Sequence, residues 1–155
     1  MATRLSDLLS EFEVRQFPEG TRTADDAARA IGCGLGQIVK SLVFSAAGRP
    51  VVALVSGSNR LDPARLATVA GEPVGKADAE TTRVATGFAI GGVPPFGHLR
   101  ELPVFIDRDL LGYDLVWAAA GRPDSVFAIA PARLVEVSAG SVCDLKVEGT
   151  ASVGR

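Results

Sequence analysis

The stretch IVKSLVFSAAGRPVVALVSG, residues 38–57, predicts the centre of the fold. Two runs rich in β-branched and other apolar residues, 38–46 and 51–57, flank a short segment that carries a glycine and a proline. This pattern is typical of two strands joined by a tight turn. We therefore predict a β-hairpin over residues 38–55, with its turn at AGRP, residues 47–50.

One charged residue, Lys40, interrupts the first of these strands. If the strand alternates, Lys40 lies on the same face as three large apolar side chains, those of Ile38, Leu42 and Phe44. Lysine is rarely buried without a partner. Lys40 is then either an edge residue whose stem covers apolar surface, or a residue on the floor of a pocket whose ammonium group binds a carbonyl or phosphate oxygen.

Outside the hairpin, short helices and short strands follow one another without strict βαβ order. Helices are expected over 3–13, in TADDAARAIG with Thr23 as its cap, after Asp62 and Pro63, in KADAETTRVATG up to Gly87, and from Pro131 in PARLVEVSA. Strands are expected in VRQF (14–17), LPVFID (102–107), DLVWAAAG (114–121) and SVFAIA (125–130).

This order favours one mixed α/β (α+β) domain over residues 1–143. The expected architecture is a largely antiparallel mixed sheet, or a partly closed barrel, flanked by helices. Residues 144–155 lack periodicity and are expected to form a flexible tail.

Composition excludes several classes of function. The 155 residues, 47% of them hydrophobic, suffice for one folded domain. A net charge of −2 argues against a protein that coats long nucleic acids, but not against one that grips a few nucleotides. Cys33 and Cys143 lie far apart outside any CxxC pair and His98 is the single histidine, so no metal site is expected.

The sequence also bounds the expected location. No apolar run approaches the roughly 20 residues of a membrane-spanning helix. The first residues carry Asp7, Glu11 and Glu13 within a helical pattern, which does not suit a signal peptide. A cytoplasmic location without membrane contact is expected.

The loop GGVPPFGH, residues 91–98, is the densest local anomaly. Its adjacent glycines allow unusual backbone angles and close approach of N–H groups to a ligand, and its prolines stiffen the loop. Rigid amides suit a pocket for a carbonyl group or an oxyanion, whereas the alternative is a tight connection between two strands. His98 is a base with an orienting partner or a turn residue, and Phe96 is a core residue or a platform for a base.

Four segments together resemble the YbaK/prolyl-tRNA-editing domain family, whose members are related to the editing domain inserted in some prolyl-tRNA synthetases. The matching segments, in order, are TADDAARAIGCGLGQIVKSLVF (23–44), VVALVSGSNRLD (51–62), TGFAIGGVPPFGH (86–98) and the strand ending in AAAG (118–121). They span most of the chain.

The resemblance implies hydrolysis of the ester that joins a wrong amino acid to tRNA, most often tRNA for proline carrying Ala, Cys, Ser or Thr. It implies no metal or nucleotide cofactor, and as partners the acceptor end of tRNA and a prolyl-tRNA synthetase, with no role for DNA. Lys40, Gly91 and Gly92 match the active-site positions. The implied substrate contacts are Ser41, Ser56, Pro94, Phe96, Gly97, His98 and Gly121. Arg60 and Arg65 are further candidates for contact with tRNA phosphates.

Two departures from the family pattern limit this transfer. Ala119 stands where YbaK-type members carry a serine, and the chain lacks the late histidine of other members. Neither the amino acid removed nor a general base follows from the resemblance. A non-catalytic module that binds aminoacyl-tRNA or a synthetase is the alternative function.

Overall fold

A computed structural model describes residues 4–17 and 23–148. The predicted hairpin is confirmed: strand β2 (Val39–Ala46) pairs antiparallel with β3 (Arg49–Ser56), from Val39 opposite Ser56 to Ala46 opposite Arg49. The turn is shorter than predicted and consists of Ala47 and Gly48, because the next two residues already belong to β3. Both turn residues have positive φ, 52° and 85°, as a type I′ turn requires.

The hairpin lies in the middle of a five-stranded mixed sheet. The other strands of this sheet are β4 (Val74–Lys76), β5 (Val104–Asp107) and β8 (Ser141–Cys143), in the order β4-β2-β3-β5-β8. The pairs β2–β4 and β2–β3 are antiparallel, whereas β3–β5 and β5–β8 are parallel.

A second, antiparallel sheet has three strands in the order β1-β7-β6. These strands are β1 (Val14–Gln16), β6 (Val116–Ala119) and β7 (Ser125–Ile129). A single parallel bridge between Ile38 and Trp117 joins it to the start of β2. Within the described residues, the two sheets are open and do not form the partly closed barrel that was the alternative expectation.

The first helix is shorter than the predicted span of 3–13, whereas the other four begin and end close to their predicted bounds. The helices are α1 (Leu5–Leu9), α2 (Ala24–Ile31), α3 (Pro63–Ala70), α4 (Ala79–Thr86) and α5 (Pro131–Ser138). The Thr23 hydroxyl accepts a hydrogen bond from the N–H of Asp26, whose side chain in turn accepts from the N–H of Thr23. Two 3-10 turns, Leu35–Gln37 and Arg108–Gly112, precede β2 and follow β5.

Apolar side chains cover both faces of the hairpin. Val39, Val43 and Leu54 belong to a cluster that includes Phe127 of β7 and Leu134 of α5. The opposite face, with Phe44, Val51, Ala53 and Val55, packs against Leu66 of α3 and against Leu145. Since both faces are buried, the register of β2 is fixed by packing as well as by hydrogen bonds.

The start of the expected C-terminal tail is held against the domain, which corrects that expectation for residues 144–148. Leu145 is fully buried, its carbonyl accepts from the N–H of Asp62 at 2.7 Å, and the N–H of Val147 donates to the Arg60 carbonyl at 2.9 Å. Ion pairs of Arg65 with Asp144 and Glu148, and of Lys146 with Asp109, hold the same segment. Residues 149–155 lie outside the described part of the chain.

Among the described helices, none has the length and apolar character needed to cross a membrane.

The turn of the hairpin allows a stability test. Ala47 adopts a left-handed conformation that Asn tolerates better, and Asn-Gly is the preferred pair for a type I′ turn. We expect Ala47→Asn to raise the free energy of unfolding by about 0.5–1 kcal/mol in urea titrations. The same change at Ala67, inside α3, should lower it by roughly 0.5 kcal/mol. An unchanged or lower stability for Ala47→Asn would contradict the turn assignment.

Candidate active site

A cavity of about 330 Å³, called the main cavity below because Lys40, Ser41 and Gly91 line it, runs along one edge of β2. Five consecutive residues of the chain, Ile38 through Leu42, line it. Because successive strand residues point to opposite faces, a cavity lined by all five wraps the edge of the strand. The start of α2, the loop at Ile90 and Gly91, and residues of β6 and β7 complete the lining.

This edge of β2 is open because its two neighbours cover only its ends. Next to Val39, the bridge between Ile38 and Trp117 covers the start of the strand, and β4 pairs only with residues Phe44 to Ala46. In an antiparallel pair, the backbone groups of alternate residues point to opposite edges. The Ile38 carbonyl accepts from Gly57 on the β3 side, whereas the Val43 carbonyl accepts from Ala77 on the β4 side.

Ser41 follows this alternation. Its N–H and C=O groups point away from β3, like those of Val43, and it lies in the stretch that neither β4 nor β6 covers. The Ser41 hydroxyl oxygen is also buried without a hydrogen-bond partner, the only such side-chain atom in residues 4–17 and 23–148. A buried polar group of this kind is unfavourable by about 1–3 kcal/mol until a partner satisfies it.

Lys40 lines the same cavity, but its side chain lies on the opposite face of β2 from that of Ser41. The residue across the hairpin from Lys40 is Val55, on the face that packs against Leu66. The Lys40 Nζ donates to the backbone carbonyl of Asn59 at 2.6 Å. Burial lowers the pKa of Lys40 below its ordinary value, and the negative charge of Asp107 opposes this effect.

The two glycines of the Gly/Pro loop differ in position. Gly91, with φ +93°, lines the cavity. Gly92 is buried, its N–H donates to the Ala89 carbonyl at 2.9 Å, and a Cβ there would lie 3.0 Å from the backbone of Arg122. The structure therefore places only Gly91 where its backbone could meet a ligand, and Gly92 permits close packing of the loop on the β6–β7 connection.

Val93 also lines the main cavity, whereas the second half of the loop, from Phe96, faces away from it. Phe96 packs in the core, with its ring 6.3 Å from that of Phe12 and 5.6 Å from that of Phe127. Gly97, at φ +77°, lies against Leu5 of α1. These contacts give the second half of the loop a packing role.

Three further predicted substrate contacts, His98, Pro94 and Gly121, also lie away from the main cavity. The His98 ring is buried and its Nε2 lies 2.7 Å from the Pro94 carbonyl, which closes the loop as a turn. Gly121 packs against Leu5 and Phe88. None of these three residues lines the main cavity.

The other predicted contacts have structural partners. Ser56 is fully buried, and its hydroxyl donates to the Gly36 carbonyl at 2.7 Å. Arg65 lies within 4 Å of three carboxylates, those of Asp62, Asp144 and Glu148, which compensate its charge. Arg60 is exposed next to Asn59.

Several lining residues were not predicted from the sequence. The walls opposite β2 are Trp117, Ala118 and Ala119 of β6 together with Ser125 and Val126 of β7. The segment WAAAG, noted for its likeness to the family, was the only signal for this wall. The sequence carried no signal that Ser125 would line the cavity, since a serine at the start of a predicted strand is an ordinary turn residue.

Within the described part of the chain, no three His, Cys, Asp or Glu side chains are grouped so as to bind a metal ion. Cys33 and Cys143 are both free, and burial raises the pKa of each thiol above its ordinary value. A raised pKa disfavours the thiolate, so neither cysteine is an activated nucleophile.

Sequence comparison relates this arrangement to known proteins. The profile of the aminoacyl-tRNA editing domain matches residues 18–137. YwhH of Bacillus subtilis is 31% identical over 133 residues, which make up 85% of this chain and 85% of that protein. The chain belongs to the aminoacyl-tRNA editing domain family. This confirms the family resemblance found in the sequence motifs.

Relatives in the editing domain family include freestanding proteins and parts of synthetases. EbsC of Enterococcus faecalis, described as a candidate Cys-tRNA(Pro)/Cys-tRNA(Cys) deacylase, is 27% identical over 83% of this chain and 80% of that protein. The proline–tRNA ligase of Elusimicrobium minutum is 30% identical over 90% of this chain, which spans 25% of the ligase.

Solved structures of the editing domain family share the fold. A crystal structure described as that of a candidate trans-editing enzyme for prolyl tRNA synthetase has a TM-score of 0.85 and 47% sequence identity to this chain. The match covers 88% of this chain and 87% of that one. The single mixed α/β domain is therefore the fold of the family.

The buried histidine predicts a pH dependence of stability. Burial lowers the pKa of His98, and its contact with Pro94 only partly opposes this. In the unfolded chain the pKa of His98 lies near the ordinary histidine value of about 6.5. Below that pH the unfolded state binds more protons, so stability is complete above about pH 6.5 and falls as pH decreases towards the folded pKa.

We expect the free energy of unfolding to fall by up to about 1.4 kcal/mol per pH unit in this window because of His98. His98→Gln should remove that part of the acid dependence, measured by urea titration from pH 7 to pH 5. NMR can follow the ring directly, since His98 is the only histidine. Identical acid dependence in the two proteins would show that His98 does not titrate in this way.

Proposed function

We propose that this chain is a trans-editing aminoacyl-tRNA deacylase that hydrolyses the ester between a small, wrong amino acid and tRNA, most often tRNA for proline. The observation that supports this most directly is the cavity along β2. There an unpaired strand edge at Ser41, the lysine Lys40 and the glycine Gly91 line one space. Family membership and the described relatives support the same substrate class.

The chemistry of the reaction suits these groups. Hydrolysis of an aminoacyl ester requires a bound water molecule and stabilisation of a tetrahedral oxyanion, without a covalent nucleophile. The ester is already reactive, so positioning supplies much of the rate. We assign the Gly91 backbone to the carbonyl oxygen of the ester, in place of the predicted pair of glycines, because the Gly92 amide already donates to Ala89.

The unpaired edge of β2 suits the amino acid itself. The Ser41 carbonyl is an acceptor for the α-ammonium group, and the Ser41 N–H is a donor for an ester or hydroxyl oxygen. Across the cavity, Val93, Ala118 and Ala119 form an apolar wall of the kind that accommodates a short side chain. We therefore propose alanine, cysteine, serine or threonine as the amino acid removed.

Lys40 serves the tRNA end of the substrate in this proposal. Asn59 accepts one hydrogen bond from its ammonium group, which can donate further ones to hydroxyl or phosphate oxygens of the terminal nucleotide. Arg60 is a further candidate for phosphate contact. Arg65 is not proposed to bind phosphate, because three carboxylates already compensate its charge.

The partners follow from the substrate. The domain would bind the acceptor end of tRNA and could act beside a prolyl-tRNA synthetase, where tRNA for proline is charged. The cytoplasm is the corresponding location. Deacylation requires no metal in this proposal.

Ser41 provides a test that separates stability from activity. Its hydroxyl has no partner in the free protein, so Ser41→Ala should leave the free energy of unfolding unchanged or raise it by up to about 1 kcal/mol. If the substrate supplies the missing partner, kcat/KM for deacylation should fall roughly tenfold. Release of labelled amino acid and urea unfolding measure the two effects. A stability loss with unchanged activity would contradict this role.

Lys40 provides the test of the function itself. Lys40→Ala should lower kcat/KM on mischarged tRNA for proline by roughly 10–100-fold, since it removes a charged hydrogen-bond donor. Lys76→Ala is the matched control, because Lys76 lies exposed on β4 of the same sheet and outside the cavity. It should retain full activity.

A panel of tRNAs for proline, alanine and cysteine, each charged with a wrong amino acid, decides between enzyme and binding module. Binding of these tRNAs without release of amino acid by the wild-type protein would overturn the deacylase proposal in favour of the non-catalytic module.

A further inference from the structure

A buried carboxylate lies behind Lys40. Asp107, at the end of β5, is 1% exposed. Its Oδ2 accepts from the backbone N–H of Ser56 at 3.0 Å and from the side-chain amide of Asn59 at 2.8 Å, and its Oδ1 accepts from the N–H of Asp109 at 3.0 Å. All three donors are neutral. A buried charge is normally paired with an opposite charge, so the absence of a cation among these contacts requires an explanation.

Asn59 stands between this carboxylate and Lys40. Its carbonyl accepts from the Lys40 ammonium at 2.6 Å, while its side-chain amide donates to Asp107 and to Asp109, both at 2.8 Å. No ion pair within 4.0 Å joins Lys40 to a carboxylate in the described ranges 4–17 and 23–148, whereas Lys146 pairs directly with Asp109 at 3.0 Å. The cation and the buried anion are therefore coupled through one neutral residue.

We propose that Asp107 is a positioning residue for Lys40: acting through Asn59, its carboxylate fixes the ammonium group without pairing with it, so that the charge remains available to the substrate. The proposal rests on the proposed function, in which Lys40 binds the tRNA end. A direct ion pair would cancel much of the positive charge that the substrate needs, and an ammonium group without a nearby anion would be less stable in its charged form when half-buried.

The electrostatic part of this coupling is specific to Asp107. The charged side chains on the elements around Lys40 are Asp25 and Asp26 on α2, Arg60 and Asp62 beside Asn59, Asp107, Arg108 and Asp109 at the end of β5, and Asp144 and Lys146 in the C-terminal segment. Burial lowers the pKa of Lys40, and of these charges only that of Asp107 raises it appreciably. Asp109 contacts Asn59 as Asp107 does but is offset by Lys146.

The first test measures Lys40 itself and does not depend on catalysis. Heteronuclear NMR of the side-chain amines follows the titration of the three lysines, Lys40, Lys76 and Lys146, and the Lys40→Ala protein assigns the signal. Asp107→Asn should lower the pKa of Lys40 further, since it removes the charge that raises it. Asp109→Asn is the matched control and should leave the Lys40 titration unchanged.

The second test measures the same change in the Lys40 pKa through the pH dependence of deacylation. In Asp107→Asn, the alkaline decline of kcat/KM should move to lower pH by the shift that NMR reports, whereas a purely structural defect would lower the rate equally at every pH. Asn59→Ala, which keeps the backbone carbonyl but removes the link to both carboxylates, should broaden or abolish the amine signal of Lys40 by faster exchange with water, with Lys76 unaffected.

An Asp107→Asn protein that folds with an unchanged Lys40 pKa would overturn the proposal, as would an equal shift in Asp109→Asn. An unchanged Lys40 amine signal in Asn59→Ala would also overturn it. If the NMR shifts occur but the wild-type protein hydrolyses no aminoacyl-tRNA, the coupling stands and the proposed function fails.

Discussion

Backbone hydrogen bonding along β2 is the constraint on which the site depends. A strand inside a domain normally has the hydrogen-bonding groups of both edges paired. An unpaired N–H or C=O group away from water is unfavourable by about 1–3 kcal/mol. β3 pairs with β2 over its whole length, but the opposite edge is shared between β6 at the start and β4 at the end. The gap between them is the cavity. The sheet thus creates polar groups that only solvent or a ligand can satisfy.

The packing of the hairpin keeps this gap open. Both faces of β2 and β3 are buried, one against the small sheet and α5, the other against α3 and Leu145. A strand held on both faces cannot twist or slip to pair its free edge, since a shift of one residue would exchange the two faces. The rigid cores therefore preserve an edge that a less constrained strand would close, and the wall of β6 keeps a fixed distance from it.

The hairpin, the capped helices and the family were predictable because their signals are local. A residue such as Thr23, three positions before Asp26, predicts a helix start regardless of the rest of the fold. β4 (VGK) and β8 (SVC) were missed because each lies beside a predicted helix and carries only one β-branched or aromatic residue, whereas the predicted strand VRQF carries two. Lys40, Ser41 and Gly91 do line one cavity, but the sequence could not show which half of GGVPPFGH faces it. That depends on Phe96 packing against Phe12 and Phe127, which are distant in sequence.

The position of Lys40 reconciles the two interpretations that its sequence pattern left open. Its stem shares a face with Leu42 and Phe44, as expected for a lysine that covers apolar surface, yet its ammonium group is held 2.6 Å from a carbonyl and not free in water. A carbonyl dipole stabilises the cation without neutralising it, whereas a carboxylate at the same place would cancel much of its field. Charge that is fixed but uncancelled is what an approaching phosphate or hydroxyl oxygen can use, because the protein has already oriented the donor before the substrate arrives.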